Sequence, residues 1–338
     1  MRIIWDWLRL SRYAAIGEAA KNEEAAGIFR ASLDQFEELM TAAAATGPAA
    51  RPLPLFYALS QAGRAITASR GEQDHHGHGI TADAGPGDVL NTIVRPSQRG
   101  DQLGQFQAVS KALGSPLLPG PTPLVALLAS LPETGMEMLE TVTDRPRPLE
   151  VWQAPEAAGL LRVRPIPPPG WDQVLVAFDE ENLTTTRVHE ILEAFPSAND
   201  KLGLPDAYKT LSSVPKQWTP HGLGVPMNVR SNQLDEVAPE YRVVGRRWLR
   251  PAVDGTTPPP IPLMTWWLIL FTLSILARYH PLIWVRAMDV DSSPAAVTLE
   301  RAMRKASDAV PQLLAEAIYN SPMRLPALAF SGGESPFD

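Results

Sequence analysis

The sequence predicts an α+β protein, a mostly helical core with a β-containing middle region, on three observations. Apolar residues recur at helical spacing from Glu23 to Ala45, and a second helical stretch, apolar on most faces, runs from about Leu53 to Arg70. An apolar run, LMTWWLILFTLSILA, fills Leu263–Ala277 without a charge. Between these helical ends, short apolar runs over about 149–250 are separated by proline clusters, which is how strands and their turns read.

The first helix carries Ile28, Leu33, Phe36, Leu39 and Met40 on one side and stops at Gly47–Pro48. The second has Pro54 in its first turn, is apolar on most faces and ends at Gly71, so it is expected at the centre. A polar loop follows over 71–88, then a short strand at Val89–Val94 and short helices at 101–113 and 122–131. In the middle region, strands are expected at Leu149–Gln153, Gly159–Ile166, Gln173–Phe178, Leu223–Val229 and Tyr241–Trp248, with one helix at Thr186–Phe195. The last helix is expected over Ser293–Tyr319, with Ser293 as N-cap, Pro294 at its first position and Pro311 kinking or splitting it. This divides the chain into an N-terminal helical region (1–148), the β-containing middle (149–250), a C-terminal helical region packing on the first (251–322) and a loosely held tail (323–338).

Composition narrows the function classes. Hydrophobic residues make up 45% of 338, enough to bury a sizeable core, and the formal net charge of −7 gives no general attraction to nucleic acid or anionic lipid. The absence of cysteine excludes disulfides, thiolate metal sites and cysteine nucleophiles, and fits a reducing compartment. The N-terminal MRIIWDWLRLSRYAA mixes charges among its apolar residues, so it does not read as a signal peptide. The Leu263–Ala277 run is shorter than the roughly 20 residues a spanning helix needs. Prolines crowd its start and Arg278, Tyr279 and His280 end it, so a buried core helix is expected and no membrane partner. The chain shows no internal repeat, no coiled-coil heptads, no GxxxxGK[ST], no HExxH and no GxSxG.

Polar chemistry concentrates in two places. Arg70-Gly-Glu-Gln-Asp-His75-His76-Gly-His78 holds three of the six histidines. Histidines and carboxylates converging on one point would hold a metal, but adjacent histidines point apart, and a helix cap followed by a solvated loop is the plainer reading; no metal and no cofactor is expected. Arg70 followed by His75 or His76 is also similar to the short motif of HEPN-type ribonucleases, in which an arginine clamps a phosphate and a histidine moves the 2′-hydroxyl proton without metal. Gly71 departs from that motif's helical setting. The second place is Ala277-Arg278-Tyr279-His280-Pro281, where polar groups emerge from a buried helix and must find partners. Either they form a ligand site, with Arg278 binding an anion and His280 assisting, or they tie core elements together. His221-Gly222 means little alone, and Arg246-Arg247-x-x-Arg250 beside Trp248 reads as a strand end balanced by acids, or as a small nucleic-acid contact.

Leu59-Ser-Gln-Ala-Gly-Arg-Ala65, the His78-Gly79-Ile80 loop, LSILARYHPLIW over Leu273–Trp284, and Trp5 with Ser11-Arg12-Tyr13 together resemble the YaaC-like family, across most of the chain. The resemblance implies a cytoplasmic bacterial protein and one architecture holding Gly63–Arg64, the His78 loop and the Arg278–His280 end; it carries no catalytic residue over. The expectation is that Arg64, His78, Arg278 and His280 line one polar ligand site between the helical ends. Two functions follow: a ligand-binding or interaction module in a regulatory or defence system, with a protein or RNA partner or a second copy of the chain, or a metal-independent ribonuclease using Arg70 with His75 or His76.

Overall fold

The computed structural model describes residues 2–71, 77–85, 88–97, 103–136, 145–153, 167–180, 182–198, 200–219, 222–241 and 246–320. The expected strand at 159–166, His75, His76, His221 and the tail from 323 lie outside them.

The fold is α+β. Helix α1 (Arg2–Tyr13) turns Ile4 and Leu8 inward and reaches across to α2 (Glu23–Ala45) with Arg9 and Arg12, which pair with Glu37 and Asp34. Asn22 caps α2 by accepting from the backbone N–H of Ala25 at 3.1 Å, and Glu23 and Glu24 face the positive end of its dipole. Helix α3 (Pro52–Arg70) opens on Pro52 and closes on Gly71 in the left-handed region. Leu55, Phe56, Leu59, Ala62, Ala65 and Ile66 are buried, so the centrality expected from its sequence is observed.

Strands β1 (Ile80–Asp83), β2 (Ile93–Pro96) and β3 (Thr122–Pro123) form a small antiparallel sheet over the helices. Two expectations shift here: Val89–Asn91 is a 3-10 turn capped by Asp88, so the strand starts later, and the segment from 122 begins as a strand edge before it coils. Helix α4 (Gln105–Leu113) lies between β2 and β3 in the chain, and the short α5 (Leu124–Ala129) and α6 (Pro132–Gly135) follow β3.

The middle region builds a second sheet from β4 (Leu149–Gln153), β5 (Trp171–Ala177), β6 (Leu202–Gly203), β7 (Gln217–Thr219), β8 (Gly222–Arg230), β9 (Glu240–Tyr241) and β10 (Arg246–Leu249). Its order is β6-β8-β5-β4-β10-β9, all antiparallel, with β7 also on β8. Side chains alternate faces along a strand. Leu149, Val151, Val174, Val176, Val225, Met227 and Val229 thus share one face, and α7 (Thr185–Leu192), capped by Thr184, closes over it with Val188 and Leu192. On the opposite side Trp248 joins Tyr241 in the helical core, which stitches the sheet to the helices. The short α8 (Leu234–Val237) leads into β9.

Helix α9 (Pro262–Tyr279) is long and apolar enough to cross a membrane by composition, yet Trp266, Trp267, Leu268, Ile269, Leu270 and Leu273 are fully buried in protein. Its buried hydroxyls are satisfied: Thr272 donates to the Leu268 carbonyl at 2.8 Å and Ser274 to that of Phe271 at 2.7 Å. Gly63 makes the crossing of α3 and α9 close, because a Cβ there would lie 2.5 Å from Cη2 of Trp267. Pro281 starts α10 (Pro281–Ala287), and α11 (Ala295–Tyr319) follows. The cap of α11 is Pro294 rather than Ser293. Pro311 does not split α11. It removes one backbone bond, and the buried Val310, Leu313 and Leu314 hold the helix across the gap.

Candidate functional sites

Gly77 and Gly79 both adopt positive φ and fold the His78 loop onto the start of α4. The loop's carbonyls serve the helix's orphan donors: Gln105 N–H donates to the Gly77 carbonyl at 3.0 Å and Phe106 N–H to that of His78 at 3.1 Å. Gln107 Nε2 donates to the Gly79 carbonyl at 2.6 Å. A Cβ at Gly79 would lie 2.9 Å from the Gly104 Cα and collide with the Gln107 amide, so the approach needs glycine.

The loop presents the His78 ring to Phe56 and Phe271, with centroids 5.4 and 5.5 Å away. Partial burial pushes its pKa below the usual imidazole value, and the positive charge of Arg278 lowers it further. Arg278 donates to the Tyr57 hydroxyl at 3.0 Å and lies 5.0 Å over the ring of Tyr279. Of the four residues expected to share a site, the structure therefore brings His78 and Arg278 together. Arg64 is exposed on the same outer face of α3 as Tyr57, two turns on, about 10 Å along the axis. His280 is half-buried in the corner between α9 and α10, where its backbone N–H donates to the Leu276 carbonyl. Neither has a side-chain bond to the His78–Arg278 pair among the described residues.

Arg70 donates to the carbonyl of Ala317 on α11 at 3.0 Å. The Arg246-Arg247-x-x-Arg250 group divides. Arg246 pairs with Glu150 at 2.8 Å and Arg247 with Asp235 at 2.6 Å, as a balanced strand end would, but Arg250 is buried.

Arg250 belongs to a second, deeper site that was not expected from the sequence. Its Nε donates to the Ser130 carbonyl at 2.9 Å, one terminal nitrogen to the Pro260 carbonyl at 2.7 Å, and the other to Thr265 Oγ1 at 2.8 Å. Burial pushes its pKa down to about 10, partly offset by Tyr241 and Glu133. Glu133, 4% exposed, accepts at Oε1 from the Tyr241 hydroxyl and from Trp266 Nε1 at 2.8 Å, while Oε2 has no hydrogen-bond partner among the described residues. Burial raises the Glu133 pKa and also raises that of Tyr241.

Beside this network opens a cavity of about 510 Å³ where the helical core meets the sheet. Tyr241, Trp248 and Arg250 come from the sheet side, Pro259 and Leu263 from the approach to α9, and Leu313 from α11. Glu236, Glu240 and Glu316 also line it. Glu236 is paired with Lys201 at 2.5 Å and Glu316 accepts from Gln312 at 3.1 Å. In sequence only Arg250 and Trp248 gave a signal, and it read as surface; Glu133 and Tyr241 sit in unremarkable contexts, 108 residues apart.

No curated protein and no solved structure matches the chain. A family model described as YaaC-like Protein matches residues 8–318. The match runs from α1 to α11 and takes in both polar clusters and nearly all of the cavity lining and of both hydrophobic cores, so the chain belongs to the YaaC-like family.

Proposed function

We propose that this protein is a ligand-binding module whose ligand sits in the cavity between the helical core and the sheet, with a regulatory consequence for whatever the module serves. The cavity carries the reading. Its volume of about 510 Å³ falls in the range of small-molecule sites, its walls are mainly apolar, and a few convergent polar groups are present. Its position supports a signalling role, because a ligand there touches α9, α11 and the sheet together.

The uncharged fluorescent probe N-phenyl-1-naphthylamine tests it. Saturable binding to the full chain at one site, lost in Ala317→Phe, which narrows the cavity, is the expected result. Absence of saturable binding overturns the proposal.

A second reading puts an anionic ligand, such as an RNA phosphate, on the surface at Tyr57, His78 and Arg278, with Arg64 and His280 at its margins. It is supported by the approach of His78 to Arg278. Arg278→Gln lowering RNA retention in a filter-binding assay would support it, and unchanged retention would end it. The ribonuclease alternative gains nothing from Arg70, whose guanidinium is engaged with a main-chain carbonyl instead of facing open space.

A further inference from the structure

We infer that the cavity selects an amphipathic carboxylate, with the acid group against the guanidinium of Arg250 and the apolar body along Trp248, Leu263, Leu313 and Pro259. This rests on the cavity being a ligand site and adds what it takes.

Arg250 is 9% exposed and lines the cavity wall. A buried cation is costly unless something compensates it. Among the described residues its hydrogen bonds all go to neutral acceptors: two carbonyls, the Thr265 hydroxyl and, at 3.4 Å, the Ser130 hydroxyl. A guanidinium has five N–H groups, and these contacts use four. The fifth belongs to the nitrogen that bonds Pro260, a residue next to the cavity-lining Pro259 and Ile261.

The nearby acid answers the charge only in part, through space. Glu133 directs its bonded oxygen to Tyr241 and Trp266, makes no hydrogen bond to Arg250, and is held toward its neutral form by burial. Through the one remaining N–H, a carboxylate oxygen takes a charge-assisted hydrogen bond, which is stronger than one to a neutral carbonyl or hydroxyl. The remaining wall is aromatic, aliphatic and proline, which suits a hydrocarbon body. Glu236, Glu240 and Glu316 disfavour a second acid on the ligand away from Arg250, so a monocarboxylate is specified.

The test is displacement of N-phenyl-1-naphthylamine from the full chain at pH 8 by decanoate, decanol and decylamine, which share a ten-carbon chain and differ in head group. Decanoate is expected to displace at a concentration at least ten-fold lower than decanol, with decylamine weakest. Ala317→Leu should weaken decanoate and decanol alike, and Arg250→Gln, which removes the charge, should erase the difference between them. If Arg250→Gln fails to fold by circular dichroism, the decanoate-to-decanol ratio and Ala317→Leu carry the test. Equal displacement by decanoate and decanol overturns the carboxylate inference and leaves the cavity reading standing. Preference for decylamine overturns it in favour of the acidic residues. Decanoate binding untouched by Ala317→Leu shows a site elsewhere and overturns it too. No probe binding at all removes both.

Discussion

Trp266 Nε1 donates a 2.8 Å hydrogen bond to Oε1 of Glu133, and so ties the most apolar helix of the molecule to a carboxyl group buried with it. The two residues are 133 positions apart, and the same oxygen accepts the hydroxyl of Tyr241 from the sheet. Helical core and sheet are thereby joined through one atom.

That junction has a pH signature. Burial raises the folded-state pKa of Glu133 above its ordinary value near 4.5. A group with a raised folded pKa contributes stability that is present below the unfolded value and is lost as pH rises through the folded one. Glu133→Gln keeps the accepting oxygen and removes the titration. The variant should therefore gain on the parent as pH rises from about 4.5 through the raised value, by roughly 1.4 kcal/mol for each pH unit between the two. Urea denaturation from pH 4 to pH 8 measures the difference; parallel curves for both proteins would falsify the assignment.

Arg250 ties the end of α5 to the start of α9, and its removal leaves the acceptors there dry. Arg250→Met should destabilise the chain by about 3 kcal/mol or more, because the Ser130 carbonyl loses its charged donor inside the protein. Chemical denaturation reads this directly. A loss below about 1 kcal/mol would mean that water replaces the guanidinium there.

Gly63→Ala places a methyl group on the ring of Trp267 at 2.5 Å, with Val109 Cγ2 at 3.0 Å. The expected cost is about 1–3 kcal/mol from overpacking, seen as a lower urea midpoint at unchanged slope. Gly27 has nothing within 4 Å of the same added atom, so Gly27→Ala is the matched control and should be neutral or stabilising.

His78 should titrate below 6.5 in an NMR titration of its ring protons, since burial and then Arg278 lower its pKa. Arg278→Gln should raise that value without restoring it fully, because burial is the larger cause. Gly79→Ala, which cannot keep the loop against Gln107 and Gly104, should restore it by freeing the ring from Phe56 and Phe271. The stability contribution has the opposite sign to that of Glu133: it is present above about 6.5 and is lost as pH falls through the lowered value.

Much of the fold was legible because it is written in periodicity. Glu23–Ala45 and Leu149–Gln153 fall where the pattern puts them, and the uncharged run at 263–277 is a core helix. Local stops were legible for the same reason: Gly71 and Pro281 act on the backbone where they stand. Misplaced boundaries came from competing local chemistry. Asp88 caps a 3-10 turn at 89–91, which delays the strand, and the packed core carries α11 through Pro311.

The α+β class, the central helices and the family resemblance are readable from residue order alone, since these follow from patterns spanning a few neighbouring residues or from short matched segments. The burial of Arg250, the sharing of one Glu133 oxygen by Tyr241 and Trp266, and the cavity beside them emerge only once the chain is folded. Those facts depend on distances between residues more than 100 positions apart, and no local period encodes such a distance.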